Sequence, residues 1–336
     1  MKINPEEITI KHATQVHAND WASIFIKGMK NCRWMTRYLK EQNISELDVS
    51  ISISQDISRK ADAELFLIAY IGDKPIGIIR FDEYWVPGAV KIISHFPLVL
   101  PKFQRKGIGK LLVREGILQA YANGFSDCWT ECWSKDKREI SIYQTFYEKI
   151  GFQKKSDRLE MMCSLEEIKI ENEITLKGLK LNTKHEVTSS LVNAISNSYG
   201  DSLDKLHEIE RLDNPKITEY FLKKTKETVE NIGFSVQCIV AKYNQKLCAG
   251  LMTATSKNRG MILEIGVISK YRQLKIAQKM ITDYITQMKN QGIKEITLGV
   301  DKENIPAIKL YEKLGFKETW FGVLMLLEDK EKLRIL

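Results

Sequence analysis

The chain moves between two hydrophobic rhythms. Leu65-Phe66-Leu67-Ile68-Ala69-Tyr70-Ile71 is an unbroken apolar run, followed by a turn at Gly72-Asp73-Lys74-Pro75 and a second run over 76–81, which together predict a hairpin. Ser235 to Tyr243, a turn at Asn244-Gln245 and the run over 247–254 repeat that order. Past each hairpin the spacing becomes helical. Ile108, Leu111, Leu112, Glu115, Ile117 and Leu118 put apolar groups mostly on one face before Asn123-Gly124, and Ile276, Met280, Ile281, Tyr284, Ile285 and Met288 do the same before Gln291-Gly292. Each half reads as a short first strand, helices, a hairpin, a strand entering a basic loop, a long helix, another strand, a helix ending at Gly-Phe and a last strand. That order predicts an α/β fold with a mixed sheet and flanking helices.

The halves also repeat each other in their motifs. Val99-Leu100-Pro101-Lys102-Phe103-Gln104-Arg105-Lys106-Gly107-Ile108-Gly109-Lys110 has its counterpart in Val267-Ile268-Ser269-Lys270-Tyr271-Arg272-Gln273-Leu274-Lys275-Ile276-Ala277-Gln278. Tyr147-Glu148-Lys149-Ile150-Gly151-Phe152 matches Tyr311-Glu312-Lys313-Leu314-Gly315-Phe316. The first pair lies 168 residues apart and the second 164, as a fused duplication with a few residues lost between its motifs would leave them. The charged stretch 166–173 is the expected boundary, giving domains at 1–168 and 172–336, each large enough to bury its own core.

Composition narrows the function. The 336 residues are 43% apolar and 28% charged, with a net charge of +8, the balance of an ordinary globular protein with a modest attraction for anionic small ligands. The basic stretches Lys223-Lys224-Thr225-Lys226 and Lys154-Lys155 carry no alternating aromatic residues, so they read as solvated faces and no nucleic-acid partner is expected. No apolar run approaches the roughly 20 residues of a spanning helix, and Met1-Lys2-Ile3-Asn4-Pro5-Glu6-Glu7 is unlike a signal peptide. A cytoplasmic protein without a membrane partner is expected. The cysteines Cys32, Cys128, Cys132, Cys163, Cys238 and Cys248 form no C-x-x-C pair. Cys128 and Cys132 lie four apart without a nearby histidine, so buried thiols are expected and no metal.

The loop over 104–110 carries most of the candidate chemistry. First-turn N–H groups of a helix have no intrahelical partner and lie at its positive end, a natural seat for phosphate oxygens. Gly107 and Gly109 remove Cβ atoms there, while Gln104, Arg105, Lys106 and Lys110 add donors and charge. Gln104-Arg105-Lys106-Gly107-Ile108-Gly109 resembles the Q/R-x-x-G-x-G/A loop of the GNAT superfamily of N-acetyltransferases, and Val99-Leu100-Pro101 precedes it as that family often shows. Tyr147, Gly151 and Phe152 resemble its second motif, and Asp301-Lys302-Glu303-Asn304-Ile305-Pro306-Ala307 with Tyr311, Gly315 and Phe316 resembles it more fully.

The resemblance covers most of both halves and implies a tandem protein of two GNAT-like domains using acetyl-coenzyme A. Each domain would be a mixed, mostly antiparallel sheet with a splayed central parallel pair. The implied cofactor residues are Leu98, Val99, Leu100, Gln104, Arg105, Lys106, Gly107, Ile108, Gly109 and Lys110 in the first half, and Val267, Arg272, Ala277 and Asn304 in the second if it is active. Pro97 and Gly266 fit the bulge that splays the strands, although Pro97 also fits an edge strand. Tyr147 and Tyr311 take the place of the general acid that protonates the leaving thiolate, the plain alternative being a tyrosine packed between helix and sheet. For the amine proton, His95 and Glu264 lie on matching strands, the plain alternatives being a core or surface histidine at 95 and an ordered water that carries the proton instead. Asp82, Glu83, Tyr84 and Trp85 read as a solvated loop or as contacts to a cationic acceptor.

Two departures separate the halves. Lys275 replaces Gly107, while Ile140 falls where an offset of 164 puts Asn304. The first half is favoured as catalytic, with the second as a structural partner covering the acceptor cleft or replacing a dimer contact. The expected activity is acetyl transfer to a small-molecule primary amine, by a monomer or a homodimer. A non-catalytic acyl-coenzyme A sensor and a protein or peptide N-acetyltransferase are the alternatives.

Overall fold

The computed structural model describes residues 5–29, 43–59, 64–93, 97–168, 174–200, 202–204 and 210–335. They divide into two compact units: Met1–Tyr84, Gly88–Lys154 and Val323–Leu336 form unit 1, while Trp85–Pro87 and Lys155–Gly322 form unit 2.

Unit 1 holds β1 (Ile8–His12), α1 (Ala18–Gly28), α2 (Glu46–Arg59), the hairpin β2 (Leu65–Ile71) and β3 (Lys74–Glu83), β4 (Ala89–Ile92), β5 (Leu98–Val99), α3 (Ile108–Ala122), β6 (Asp127–Ser134) and α4 (Lys137–Glu148). β1 to β4 pair antiparallel in order, and β4 pairs parallel with β6. That parallel ladder runs only from Ala89 with Asp127 to Ile92 with Thr130. Beyond it β5 also pairs with β3, Leu98 opposite Ile78 and Val99 opposite Gly77, and among the described residues no ladder joins β5 to β6.

Unit 2 begins within β7 (Phe152–Ser164) and continues through β8 (Leu179–Lys184), α5 (Ser189–Tyr199), α6 (Pro215–Asn231), the hairpin β9 (Ser235–Tyr243) and β10 (Lys246–Thr255), β11 (Arg259–Val267), α7 (Ile276–Asn290), β12 (Glu295–Asp301), α8 (Ile305–Lys313) and the first part of β13 (Lys317–Leu327). Strands β8 to β11 are antiparallel, β11 and β12 parallel, and β12 and β7 antiparallel. The parallel pair again parts early, after Ile262 opposite Leu298. Its cause lies at Leu263: Thr253 faces Ile262 but Met252 faces Glu264, so β11 carries one extra residue and bends away. The expected bulge residue Gly266 sits in regular register opposite Gly250.

Both long helices bury the same spacing. Ile108, Leu112, Val113, Gly116, Ile117 and Ala120 face the core of α3, and Ile276, Met280, Ile281, Tyr284, Ile285 and Met288 that of α7. Leu118, counted on the apolar face from sequence, is 45% exposed. The mixed sheets, each with one splayed parallel pair and flanking helices, bear out the expected fold class.

The compact units do not follow chain order as the ranges 1–168 and 172–336 do, and the boundary near 170 lies outside the described residues. Leu159, Met161 and Cys163 of β7, with Leu165 just after it, belong to the core built by Ile281, Ile285 and Leu298, in unit 2. Conversely, Gly151 O in unit 1 accepts N–H bonds from Glu328 and Asp329 at 3.2 and 3.1 Å. The last strands of the two halves have thus changed units. Strand period and apolar content are alike in both, so the local pattern favours neither placement.

Candidate active site

Each splayed pair leads into the same loop. Leu100 N–H donates to Ile76 O and Ile268 N–H to Cys248 O, both at 2.9 Å. One turn of 3-10 helix follows, then two left-handed residues, Arg105 and Gly107 (φ 60° and 85°) in unit 1, Gln273 and Lys275 (φ 64° and 59°) in unit 2. Gly107 and Lys275 are the N-caps of α3 and α7, and neither helix has a side-chain cap. Their first-turn N–H groups are therefore available to an anion. Lys275 holds the backbone shape that glycine adopts in unit 1, against a left-handed penalty on the order of 1–2 kcal/mol for an L-residue. The loop keeps its backbone shape despite the substitution that separates the two halves in sequence.

Several loop residues do other work than expected. The Gln104 amide donates to Val99 O at 2.9 Å, and Arg272 Nε donates to Val267 O at 3.2 Å, so both side chains brace the strand end. Arg272 Nη2 also donates to Ser198 O at 2.8 Å. A Cβ on Gly107 would meet open space, whereas one on Gly109 would come 3.2 Å from Pro97 Cγ and 3.5 Å from Phe146. Gly107 thus serves the turn and Gly109 the packing. Leu98, Val99 and Ile108 are buried, Arg105 is exposed, Lys110 is half-buried, and Lys106 Nζ lies 5.7 Å from the Phe103 ring centre.

Unit 2 contains a cavity of about 510 Å³ at its loop. Val267, Arg272, Ala277, Asn304 and Tyr311, named from sequence for this half, line it, with Tyr199, Gly266 and Lys275, whereas Glu264, also named there, does not line it but bonds to Tyr199, which does. A Cβ on Gly266 would come 1.9 Å from Ser198 Oγ, so this glycine lets α5 approach β11 at the cavity wall. Tyr147 is 1% exposed between Phe146 and Phe152, with ring centres 5.0 and 5.2 Å away, and Tyr311, although it reaches the cavity, is likewise buried at 6%, its ring centre 5.9 Å from Phe316. Both halves, the first favoured from sequence included, bury the tyrosine of their second motif. The cavity just described belongs entirely to the second.

Helix caps also correct the pairing of Asn304 with Ile140. Asn304 Oδ1 caps α8 by accepting from Ala307 N–H at 3.3 Å, and Asp136 caps α4 by accepting from Arg138 N–H at 2.9 Å. The true counterpart is Asp136, and the four-residue difference between motif offsets is an extra turn in α4 before its tyrosine.

Beside the cavity lies a group of charged side chains. Glu264, just past the bulge, accepts a hydrogen bond from the Tyr199 hydroxyl. Burial pushes its carboxyl up to about 7, with Asp204 adding to the rise and Tyr199 and Arg158 opposing it. Arg158 Nη1 meets Asp204 Oδ1 at 2.8 Å. Burial disfavours this guanidinium's charge, yet Asp204, Asp301, Glu210 and Glu264 hold it above its ordinary value. Burial likewise raises Tyr311 and Tyr199 above an ordinary phenol. Glu264 can thus exchange a proton near neutral pH, while both tyrosines keep theirs. The sequence offered Glu264 through strand matching but missed Tyr199 and Arg158, whose partners lie 65 and 46 residues away without a local motif.

The remaining candidates separate. His95 and Cys32 lie outside the described residues. Asp82 bonds to Arg80 at 2.6 Å, Glu83 ends β3 opposite Val90, and Tyr84 is buried against Trp129 with ring centres 5.4 Å apart. Trp85 belongs to unit 2, its ring 5.8 Å from Phe221. This segment is packed rather than solvated. Cys128 and Cys132 are buried in β6, and burial pushes both thiols up. Among the described residues no helix is long and apolar enough to cross a membrane.

A splayed parallel pair running into an uncapped helix, built twice in one chain, defines a two-repeat acyltransferase fold. Residues 203–316 match the Acetyltransferase (GNAT) family and residues 62–154 an Acetyltransferase (GNAT) domain. An N-alpha-acetyltransferase of Saccharolobus solfataricus is 31% identical over 138 residues, covering 37% of this chain and 80% of that protein. N-alpha-acetyltransferase 30 of Schizosaccharomyces pombe is 38% identical over 58 residues, which span 17% of this chain and 39% of that relative's length. A tandem GNAT protein from the clavulanic acid biosynthesis pathway shares the fold at a TM-score of 0.62 and 10% identity, over 95% of this chain and 98% of the other. The chain belongs to the GNAT family of acetyltransferases, as an enzyme with two GNAT domains.

Proposed function

We propose that unit 2 transfers an acetyl group from acetyl-coenzyme A to a primary amine, with Glu264 taking the amine proton and Tyr311 supplying one to the departing thiolate. The observation that carries this reading is the cavity of about 510 Å³ that joins the loop, Tyr311 and Tyr199. Acetyl-coenzyme A would bring an activated thioester. The first-turn N–H groups of α7, with Arg272 and Lys275 nearby, suit its diphosphate. Asn304, its Oδ1 engaged by the helix cap, has amide hydrogens to offer the pantetheine arm.

An acceptor amine reacts only when neutral, and a carboxylate that ionises at about 7 can hold its proton. The acceptor is an amine whose cationic form is drawn toward Glu264 and its neighbouring acids. The names of the relatives favour a second reading, in which that amine is a peptide N-terminus.

The test is thiol release from acetyl-coenzyme A with a panel of small amines and short peptides. Tyr311→Phe is expected to lower kcat about 10²-fold and Tyr147→Phe to leave it nearly unchanged. Turnover with small amines rather than peptides supports the first reading, and the reverse supports the second. Cofactor binding without release under any acceptor makes the protein a sensor and ends both.

A further inference from the structure

Arg158 reaches the site in unit 2 from a strand that follows the first half's second motif. On β7 it stands opposite Asp301 in the ladder with β12. Its guanidinium meets Asp204 at 2.8 Å, with side chains only 14% and 6% exposed. Asp204 Oδ2 accepts from Asp301 N–H at 3.3 Å, and Ser156, two positions before Arg158, donates to the Asp301 carboxylate at 2.7 Å. One strand therefore ties down both acids.

Glu264 works in the field of this group. It is faced by the Tyr199 hydroxyl from α5, by Asp204 just after that helix and by Arg158 from β7. Asp301 and Glu210 act on Arg158 as well, and Tyr311 of α8 feels Glu264 and Asp204. A carboxylate among other carboxylates retains its proton, and a guanidinium held close counters that tendency. Removing one partner of a buried ion pair also leaves the other charge uncompensated.

We propose that Arg158 is a positioning residue for acetyl transfer in unit 2, anchoring Asp204 beside Asp301 and keeping a fixed positive charge near the Glu264 carboxylate. The proposal rests on the reading of Glu264 as the group that receives the amine proton. It makes the first half of the sequence a contributor to the second unit's chemistry whatever its own loop does.

The test uses the full chain, with kcat/KM measured from pH 5.5 to 9 for wild type, Arg158→Met, Arg158→Lys and Asp204→Asn. Circular dichroism checks folding and calorimetry checks acetyl-coenzyme A binding. Arg158→Met should move the acidic limb about 1 pH unit higher, leave cofactor affinity within about twofold, and regain most of its rate at high pH. Arg158→Lys should restore most of the shift, because it keeps the charge without the fork. Asp204→Asn should move the limb the other way. If Arg158→Met does not fold, Asp204→Asn carries the test, and an unmoved limb there overturns the proposal. A folded Arg158→Met that loses rate equally at every pH also overturns it, since support of the fold alone would do that. A wild type that releases no thiol with any amine refutes the acetyl-transfer reading itself, and the arginine's role with it. An active wild type with an unmoved limb in the variants refutes the arginine's role alone.

Discussion

Glu264 is a carboxyl whose burial outweighs the hydrogen bond that stabilises its ionised form. Its folded-state value of about 7 lies above the ordinary 4.5. Between those limits the folded state holds the proton more tightly than the unfolded one, so this residue's contribution to stability falls as pH rises through that window. Glu264→Gln should flatten that slope, removing up to about 3 kcal/mol of difference between pH 4.5 and pH 7, as measured by urea unfolding against wild type. The same change should cost about 10²-fold or more in acetylation and abolish the acidic limb of the pH profile. Strand matching from the loop pointed to Glu264. Its proton affinity could not be foreseen, because it depends on Tyr199, Asp204 and Arg158, which sequence separates widely.

Among the elements, β7 carries the largest difference between chain order and structure. Its alternating buried residues, Leu159, Met161 and Cys163, look the same in sequence wherever they pack. Met161, fully buried in unit 2, should cost about 2–5 kcal/mol on change to alanine, with faster amide hydrogen exchange in β11 and β12. Cutting the chain gives a sharper result. A piece ending at residue 168 should aggregate, because it exposes the apolar face of β7 and lacks the Val323–Leu336 tail of unit 1. A piece spanning Lys155–Gly322 should fold cooperatively on heating, whereas one spanning 172–322 should not, as circular dichroism would record. The helices were more legible, since α3 and α7 bury residues at matching spacings and stop near their Asn-Gly and Gln-Gly signals. The bulge at Leu263 was not, since nothing in the local sequence distinguishes an extra residue in a strand from a regular one.

For the molecule as a whole, the duplication means that two loops of like shape are present while the cavity described lies at the second. Ala277→Glu would add a carboxylate to the cavity wall at the N-terminus of α7, opposing an anion there. It should weaken acetyl-coenzyme A binding at least about 10-fold by calorimetry and suppress thiol release. Gly107→Glu strains a left-handed position in unit 1 and should lower the melting temperature while leaving turnover largely intact. The sequence by itself determined the number of repeats, the order of their elements, the loop and tyrosine motifs, and the family, because each is written in local spacing or short-range residue chemistry. Only the tertiary structure decided which last strand completes each unit, that Tyr311 borders the cavity of unit 2 and which charges surround Glu264. Those outcomes depend on contacts between residues dozens to more than a hundred positions apart, where apolar alternation is degenerate and ionisation follows three-dimensional burial.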